Sequence, residues 1–245
     1  MPNNDFIIKN NALTKYIGGG GDVVIPDGVT YIAVFSFKDR SDIISISIPK
    51  SVGYIGHGAF SGCTNLKSIS IPNGITDILP GTFADCKNLT SISIPDSVTH
   101  IDVSAFRGCY GLADQNGFVI IKNVLYGYFG KESNITIPHN VSIIAEKAFA
   151  NCEDLTSVVM QSNVKRISYC AFHRCTNLKQ VTASGIETIE DCAFLCCENL
   201  KSITVSADID YIDKDAFCGC NNLTIHAPAK SYTEGYAKEN NIPLA

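Results

Sequence analysis

The chain has 245 residues, 45% of them hydrophobic and only 18% charged, with a net charge of −5 and a pI near 5.5. That balance supplies a large core and argues against a nucleic-acid-binding surface, which needs clustered Lys and Arg. No run of like charges marks a membrane-surface patch and no 18-residue apolar run offers a spanning helix, so membrane insertion is not expected either.

The N-terminal stretch Met1–Asn11, MPNNDFIIKNN, lacks the basic and apolar regions of a secretory leader. A cytoplasmic chain and a chain that begins after a removed leader both fit it. Asn10-Asn11 separates two apolar-rich runs, Phe6-Ile7-Ile8 and Leu13 to Tyr16, which predicts a hairpin. The glycine run Gly18 to Gly21 has no following Lys-Ser/Thr and precedes a strand, so it reads as a turn and not as a phosphate cradle.

Beyond the glycines a period governs the chain. Phenylalanine recurs at Phe37, Phe60, Phe83, Phe106, Phe149, Phe172, Phe194 and Phe217, in steps of 23 residues apart from one step of 43 and one of 22. Cysteine follows three residues later at Cys63, Cys86, Cys109, Cys152, Cys175, Cys197 and Cys220, with Arg40 the one break in the column. An apolar residue comes three further on, as Ile43, Leu66 or Leu89, and then an alternating segment such as Ser68-Ile69-Ser70-Ile71-Pro72. Alternation is the period of a half-buried strand, and proline ends it by removing a ladder donor. A V-x-x-I pair, as Val52/Ile55, closes each coil with a second short apolar segment before the Ala-Phe turn. One coil cannot bury its own apolar face; stacked coils can, with stability a nearest-neighbour sum.

This 23-residue pattern over Val23–Ala229 resembles the BspA-type leucine-rich repeat. The resemblance implies a leucine-rich-repeat solenoid: stacked coils with a parallel β-sheet on one face, short helical or irregular segments on the other, and a β-hairpin insert. It also implies a protein-binding or adhesion scaffold that contacts host or microbial surface proteins, and a cell-surface or secreted location. A structural spacer or stalk without a ligand is the alternative.

The 43-residue step contains a segment, Asp114–Ser133, that repeats the N-terminus. Phe6, Asn11, Leu13, Tyr16 and Ile25-Pro26 match Phe118, Asn123, Leu125, Tyr128 and Ile137-Pro138 at a constant offset of 112. A single solenoid domain over 1–245 is therefore expected, built of two tandem super-repeats, 6–112 and 114–229. Each is a hairpin-like segment followed by four coils, and 230–245 forms a helical cap. Ser231 is the expected N-cap of that helix, with Glu234 as its capping-box partner.

Cysteines placed by the repeat are expected as buried, unpaired thiols, because in-register neighbours lie about one strand spacing, ~4.8 Å, apart, beyond comfortable disulfide reach. The off-column Cys196 and Cys218 and the pair Cys170 and Cys192 lack paired C-x-x-C spacing, so no metal is expected. No cofactor is implied. The five histidines share no column and no hydrolase, zincin or phosphate-loop motif occurs, so an enzyme is disfavoured. Two sets of candidate binding residues remain. The outward strand positions are Ser68, Ser70, Ser91, Ser93, Thr182 and Thr204, whose composition also suits a plainly solvated sheet. The second set is the column before the Ile of V-x-x-I, with Tyr31, Tyr54 and Tyr211, together with Tyr126 and Tyr128 on the inserted hairpin, which could instead pack on the solenoid edge. The expected partner is a protein, and the chain itself a monomer or weak oligomer.

Overall fold

The computed structural model describes residues 5–245. The chain divides into two compact units, Met1–Asp114 and Gln115–Ala245, close to the boundary of the sequence duplication.

Unit 1 opens with strands β1 (Phe6–Lys9) and β2 (Ala12–Tyr16), an antiparallel hairpin. Its turn places both Asn10 and Asn11 at positive φ, 49° and 61°. Asparagine tolerates this left-handed region better than most residues, which is why it suits a two-residue hairpin turn. Two kinds of strand then alternate. The longer ones come from the alternating segment: β3 (Gly21–Val24), β5 (Ile43–Ser47), β7 (Ser68–Ser70) and β9 (Ser91–Ser93). The two-residue ones come from the V-x-x-I pair: β4 (Tyr31–Ile32), β6 (Tyr54–Ile55), β8 (Asp77–Ile78) and β10 (His100–Ile101). The long strands form a parallel sheet in the order β3-β5-β7-β9. The short ones join the hairpin as β1-β2-β4-β6, with β8-β10 apart. The second apolar pair thus builds a parallel sheet of its own.

Unit 2 repeats the plan. Its hairpin is β11 (Phe118–Ile121) and β12 (Val124–Tyr128). Its long strands β13 (Asn134–Thr136), β15 (Ser157–Met160), β17 (Gln180–Ala183), β19 (Ser202–Val205) and β21 (Thr224–His226) pair in chain order. Its short strands β14 (Ile143–Ile144), β16 (Arg166–Ile167), β18 (Thr188–Ile189) and β20 (Tyr211–Ile212) extend from the hairpin in one six-stranded sheet.

Between the short strand and the cysteine the chain runs through successive turns, where the sequence allowed a short helix. The reason is hydrogen-bond economy. Lys38 N–H donates within its coil to Phe35, whereas Phe37 and Asp39 donate to Ala59 and Ser61 of the next coil, both at 2.8 Å. A helix would commit every N–H to its own turn and leave none for the neighbour. Where another coil of the unit follows, the alternation goes with a left-handed residue two before and two after the phenylalanine, as at Gly58 and Gly62 (φ 60° and 74°) or Lys147 and Asn151 (57° and 62°).

Each unit has a stacked aromatic ladder at its centre. Phe37, Phe60, Phe83 and Phe106 stack at 5.3–5.5 Å, and Phe149, Phe172, Phe194 and Phe217 at 4.7–5.3 Å. The hairpin tyrosines begin these ladders: Tyr16 lies 5.2 Å from Phe37 and Tyr128 5.6 Å from Phe149. Helix α1 (Tyr232–Glu239) ends the second one, with Tyr236 edge-on to Phe217 at 6.2 Å. Ser231 Oγ accepts the Glu234 N–H at 3.2 Å as the capping box requires, while the Glu234 carboxylate takes the N–H of Lys230 and not that of Ser231. Among the described residues no helix is long and apolar enough to cross a membrane.

Candidate binding surfaces

The long-strand sheet of unit 1 sorts its side chains by pleat. Ile46 and Ile69 point into the core, and the serines flanking them point out. Parallel register aligns Ser45, Ser68 and Ser91 in one outward column and brings Ser70 opposite Ser93 in a second. Serines of both columns, Ser47 among them, floor an open depression of about 680 Å³, with Lys50 and Asn73 on its border. At the edge strand Asp22 accepts the hydroxyl of Ser45 at 2.6 Å.

Unit 2 gives the same sheet a different face. Asn134, Ser157, Gln180, Ser202 and Thr224 share one column, and Thr136, Val159, Thr182, Thr204 and His226 the other. Thr182 and Thr204 are therefore direct neighbours, but they lie in the other unit from the four candidate serines.

The tyrosine candidates separate. Tyr31 and Tyr54 stand on the short-strand sheet of unit 1, in register, with rings 4.5 Å apart and 7° from parallel. Tyr211 is exposed on the equivalent sheet of unit 2, and its hydroxyl donates to Asp213 Oδ2 at 2.9 Å. Tyr126 and Tyr128 do not offer a binding surface: they are 2% and 5% exposed. Tyr128 is buried because it takes the phenylalanine's place ahead of the first coil, and its hydroxyl donates to the carbonyl of Glu132 at 3.1 Å. The shared offset of Tyr16 and Tyr128 was the sequence signal for that capping role.

The column cysteines have a structural task. Cys63, Cys86 and Cys109 donate S–H to the carbonyls of Phe37, Phe60 and Phe83, one coil back, at 3.1, 3.2 and 3.1 Å. Cys175, Cys197 and Cys220 do the same for Phe149, Phe172 and Phe194 at 3.0, 3.0 and 3.2 Å. Burial pushes the Cys63 and Cys109 thiols up to about 12 and Cys86 higher still. The exception in the column performs the same task by other means. Arg40 Nη1 donates to the carbonyl of Tyr16 at 3.2 Å, Nη2 donates to that of Gly18 at 2.5 Å, and the guanidinium lies 4.4 Å over the Tyr16 ring. Gly20 (φ 81°) lets the chain pass there, since a Cβ would fall 2.4 Å from Asp42 Oδ2. Cys152 is less buried than the rest and reaches the Tyr128 carbonyl only at 3.9 Å.

The off-column thiols are turn residues: Cys170, Cys192 and Cys196 occupy left-handed positions with φ of 54°, 56° and 59°, and Cys218 is exposed. Asp191, Asp213 and Asp215 approach within 4.8 Å of one another on the surface, and Asp213 already accepts from Tyr211 and from the Asp215 N–H.

The model of the BspA-type leucine-rich repeat region matches residues 7–124 and 119–237, six copies in all. The chain belongs to that family. Among solved structures, this BspA-type protein is similar to a leucine-rich cell-surface protein of Faecalibacterium prausnitzii (21% identity, 97% of this chain and 96% of the other, TM-score 0.43). It is also similar to leucine-rich-repeat proteins of Bacteroides ovatus (24% identity, 89% and 70%, TM-score 0.49) and T. pallidum (23%, 100% and 97%, TM-score 0.39). No curated protein sequence matches the chain. BspA-type repeats are typically non-enzymatic scaffolds, and what such a scaffold does is decided by the surface it displays.

Proposed function

We propose that the chain is a non-enzymatic protein-binding scaffold acting in adhesion at a cell surface, and that the long-strand sheet of unit 1 receives the partner. One observation carries this reading: two in-register columns of serine hydroxyls, open to solvent, floor a single depression of about 680 Å³. Short hydroxyl side chains can donate and accept, lose little rotamer entropy on contact, and leave the strand surface low enough for another chain to lie across it. Family membership supports a scaffold, and the cell-surface description of the Faecalibacterium protein agrees with the location proposed.

The test is a binding screen against host matrix proteins and surface proteins of neighbouring microbes, repeated with Ser70→Glu/Ser93→Glu. These side chains are exposed, so the double variant should fold normally and lose binding by at least about tenfold, the effect of desolvating unpaired charge at an interface. Unchanged affinity for every partner found would remove this face from the reading.

A further inference from the structure

The short-strand sheet of unit 1 presents a column of one residue per coil: Tyr31, Tyr54, Asp77 and His100. Tyr31 backs Tyr54 face to face, yet the two remain 36% and 40% exposed. The sheet divides at the next step, since β4 and β6 belong to one sheet and β8 and β10 to another. Tyr54 and Asp77 therefore flank a seam in the backbone ladder. Asp77 is exposed, its carboxylate accepts the Thr76 hydroxyl at 2.6 Å, and among the described residues no cation pairs with it. Burial, then Tyr31, then the Asp77 carboxylate hold the Tyr54 phenol above its usual range. A second aromatic pair, Phe35 and His57, lies on the coils of Tyr31 and Tyr54, with ring centroids 4.7 Å apart.

Unit 2 shows what the same face looks like when the chain completes it alone. The residue 112 positions after Tyr54 is Arg166, whose Nε donates to Glu190 Oε1 at 2.5 Å. In place of Phe35 and His57 stand Lys147 and Tyr169, with the ammonium 5.5 Å over the ring. The second unit brings its own cations to this surface. In the first, the Lys38 ammonium lies 5.1 Å over the Phe35 ring, and among the described residues the step from Tyr54 to Asp77 has a ring and a carboxylate with no paired cation.

We infer that the step between Tyr54 and Asp77 is a binding site for an arginine side chain of a protein partner, with the guanidinium stacked on Tyr54 and paired with Asp77. Arginine fits better than lysine because its planar, weakly hydrated cation can lie on a ring while its N–H groups reach a neighbouring carboxylate. The two coils are 5.5 Å apart at their Phe60 and Phe83 rings, so ring and acid stand on neighbouring coils, within the span of one such group. The site shares with the proposed function only the premise of a protein partner, and does not involve the serine columns.

The experiment titrates the intact chain with acetyl-Gly-Arg-Gly-Arg-Gly-amide and its lysine and citrulline analogues, followed by tyrosine fluorescence and by NMR. The arginine peptide should bind more tightly than the lysine peptide by about threefold or more, and the citrulline peptide should not bind. Tyr54→Leu and Asp77→Asn should each weaken arginine binding by about three- to thirtyfold, the range of a cation–π contact at a partly exposed site. Tyr54→Phe, which keeps the ring, should retain it. If Tyr54→Leu fails to fold, Asp77→Asn and the citrulline peptide carry the test. No binding of the arginine peptide, equal binding of arginine and lysine, or unchanged affinity in folded Asp77→Asn would overturn the site. Ser70→Glu/Ser93→Glu should leave this titration unchanged, so failure of the serine face and failure of this site are told apart.

Discussion

At positions 112 residues apart, unit 1 exposes Val24, Phe35, Ile44 and Tyr54, where unit 2 carries Thr136, Lys147, Thr156 and Arg166. The interiors show no such divergence: Phe37 and Phe149, Phe60 and Phe172, and Cys63 and Cys175 are the same residues in the same places. Close packing explains the contrast. An interior side chain is fixed by the coils above and below it, so a change must be answered twice. A surface side chain answers to no neighbour of the stack. Both units carry surface ion pairs and exposed rings elsewhere, but at the Tyr54 position unit 2 has an arginine paired with Glu190, whereas unit 1 has an exposed ring. Scattered exposed apolar residues are ordinary; the stacked tyrosine pair beside Asp77 is the feature on which the proposed arginine site rests.

If the interiors are equivalent, equal truncations should cost the same. Phe60→Ala and Phe172→Ala both open a cavity in a fully buried ladder, between rings 5.3 and 5.5 Å away in one case and 4.7 and 5.0 Å away in the other. Each should lose about 3–5 kcal/mol in a denaturant titration, with amide exchange rising most in the adjoining coils. A difference above about 2 kcal/mol between the two would break the equivalence, and the tighter stacking of unit 2 would be the first explanation.

The first coils are where the interiors do differ. Arg40 holds the hairpin by two carbonyl hydrogen bonds and an ion pair with Asp42, while Cys152 has one long S–H contact. Arg40→Ala should therefore cost about 1.5–3 kcal/mol, the range for hydrogen bonds from a charged donor, and Cys152→Ala about 1 kcal/mol or less. Alkali should separate them further. The Cys152 thiol rises from 9.0 to about 11 through burial and the Asp154 charge. A raised folded value means that the thiol's contribution is full below pH 9, where both states are protonated, and is lost as pH climbs through about 11. Arg40 stays charged across that window, its pKa raised chiefly by its hydrogen bond with Asp42. Thermal melts from pH 8 to 11 should show the Cys152→Ala difference shrinking and the Arg40→Ala difference holding. Parallel behaviour of the two variants would refute this account of the first coils.

Much of this was legible before any coordinates, and for one reason: every coil repeats the same packing problem, so the answer appears eight times in the phenylalanine column. The hairpins and the cap were legible from Asn10-Asn11 and from Ser231 with Glu234. Three features were not. The left-handed turn positions carry Phe35, Lys147, Cys170 and Cys192 as well as glycine, so no residue type marks them. The burial of Tyr126 and Tyr128 depends on where the hairpin lies, which alternation within one strand does not reveal. The seam beside Tyr54 leaves no trace in spacing, because Asp77 holds the column's place as regularly as any other residue. Arg40 did announce itself as the one break in the cysteine column, and its role as a carbonyl donor needed the Tyr16 position to be seen.

The smallest expected effect bears most directly on the difference between the surfaces. Phe35 has φ 57° and is 46% exposed, at the position filled by Gly58 and Gly81 in the coils that follow. A left-handed residue with a side chain costs about 1–2 kcal/mol. Glycine there would relieve that strain, lose about 0.5–1 kcal/mol in backbone entropy, and forfeit the ring's contacts with His57 and the Lys38 ammonium, about 1–2 kcal/mol together. These terms nearly cancel, so Phe35→Gly should leave stability within about 1 kcal/mol of the parent, against several for Phe60→Ala. Such a result would mean that the fold gains nothing from a bulky ring in a strained, half-exposed turn. The ring would then be there for what it presents to solvent. A loss above about 2 kcal/mol would instead make Phe35 a packing residue seated on Gly58, whose Cβ would fall 2.2 Å from that ring, and the aromatic face of unit 1 would shrink to Tyr31 and Tyr54.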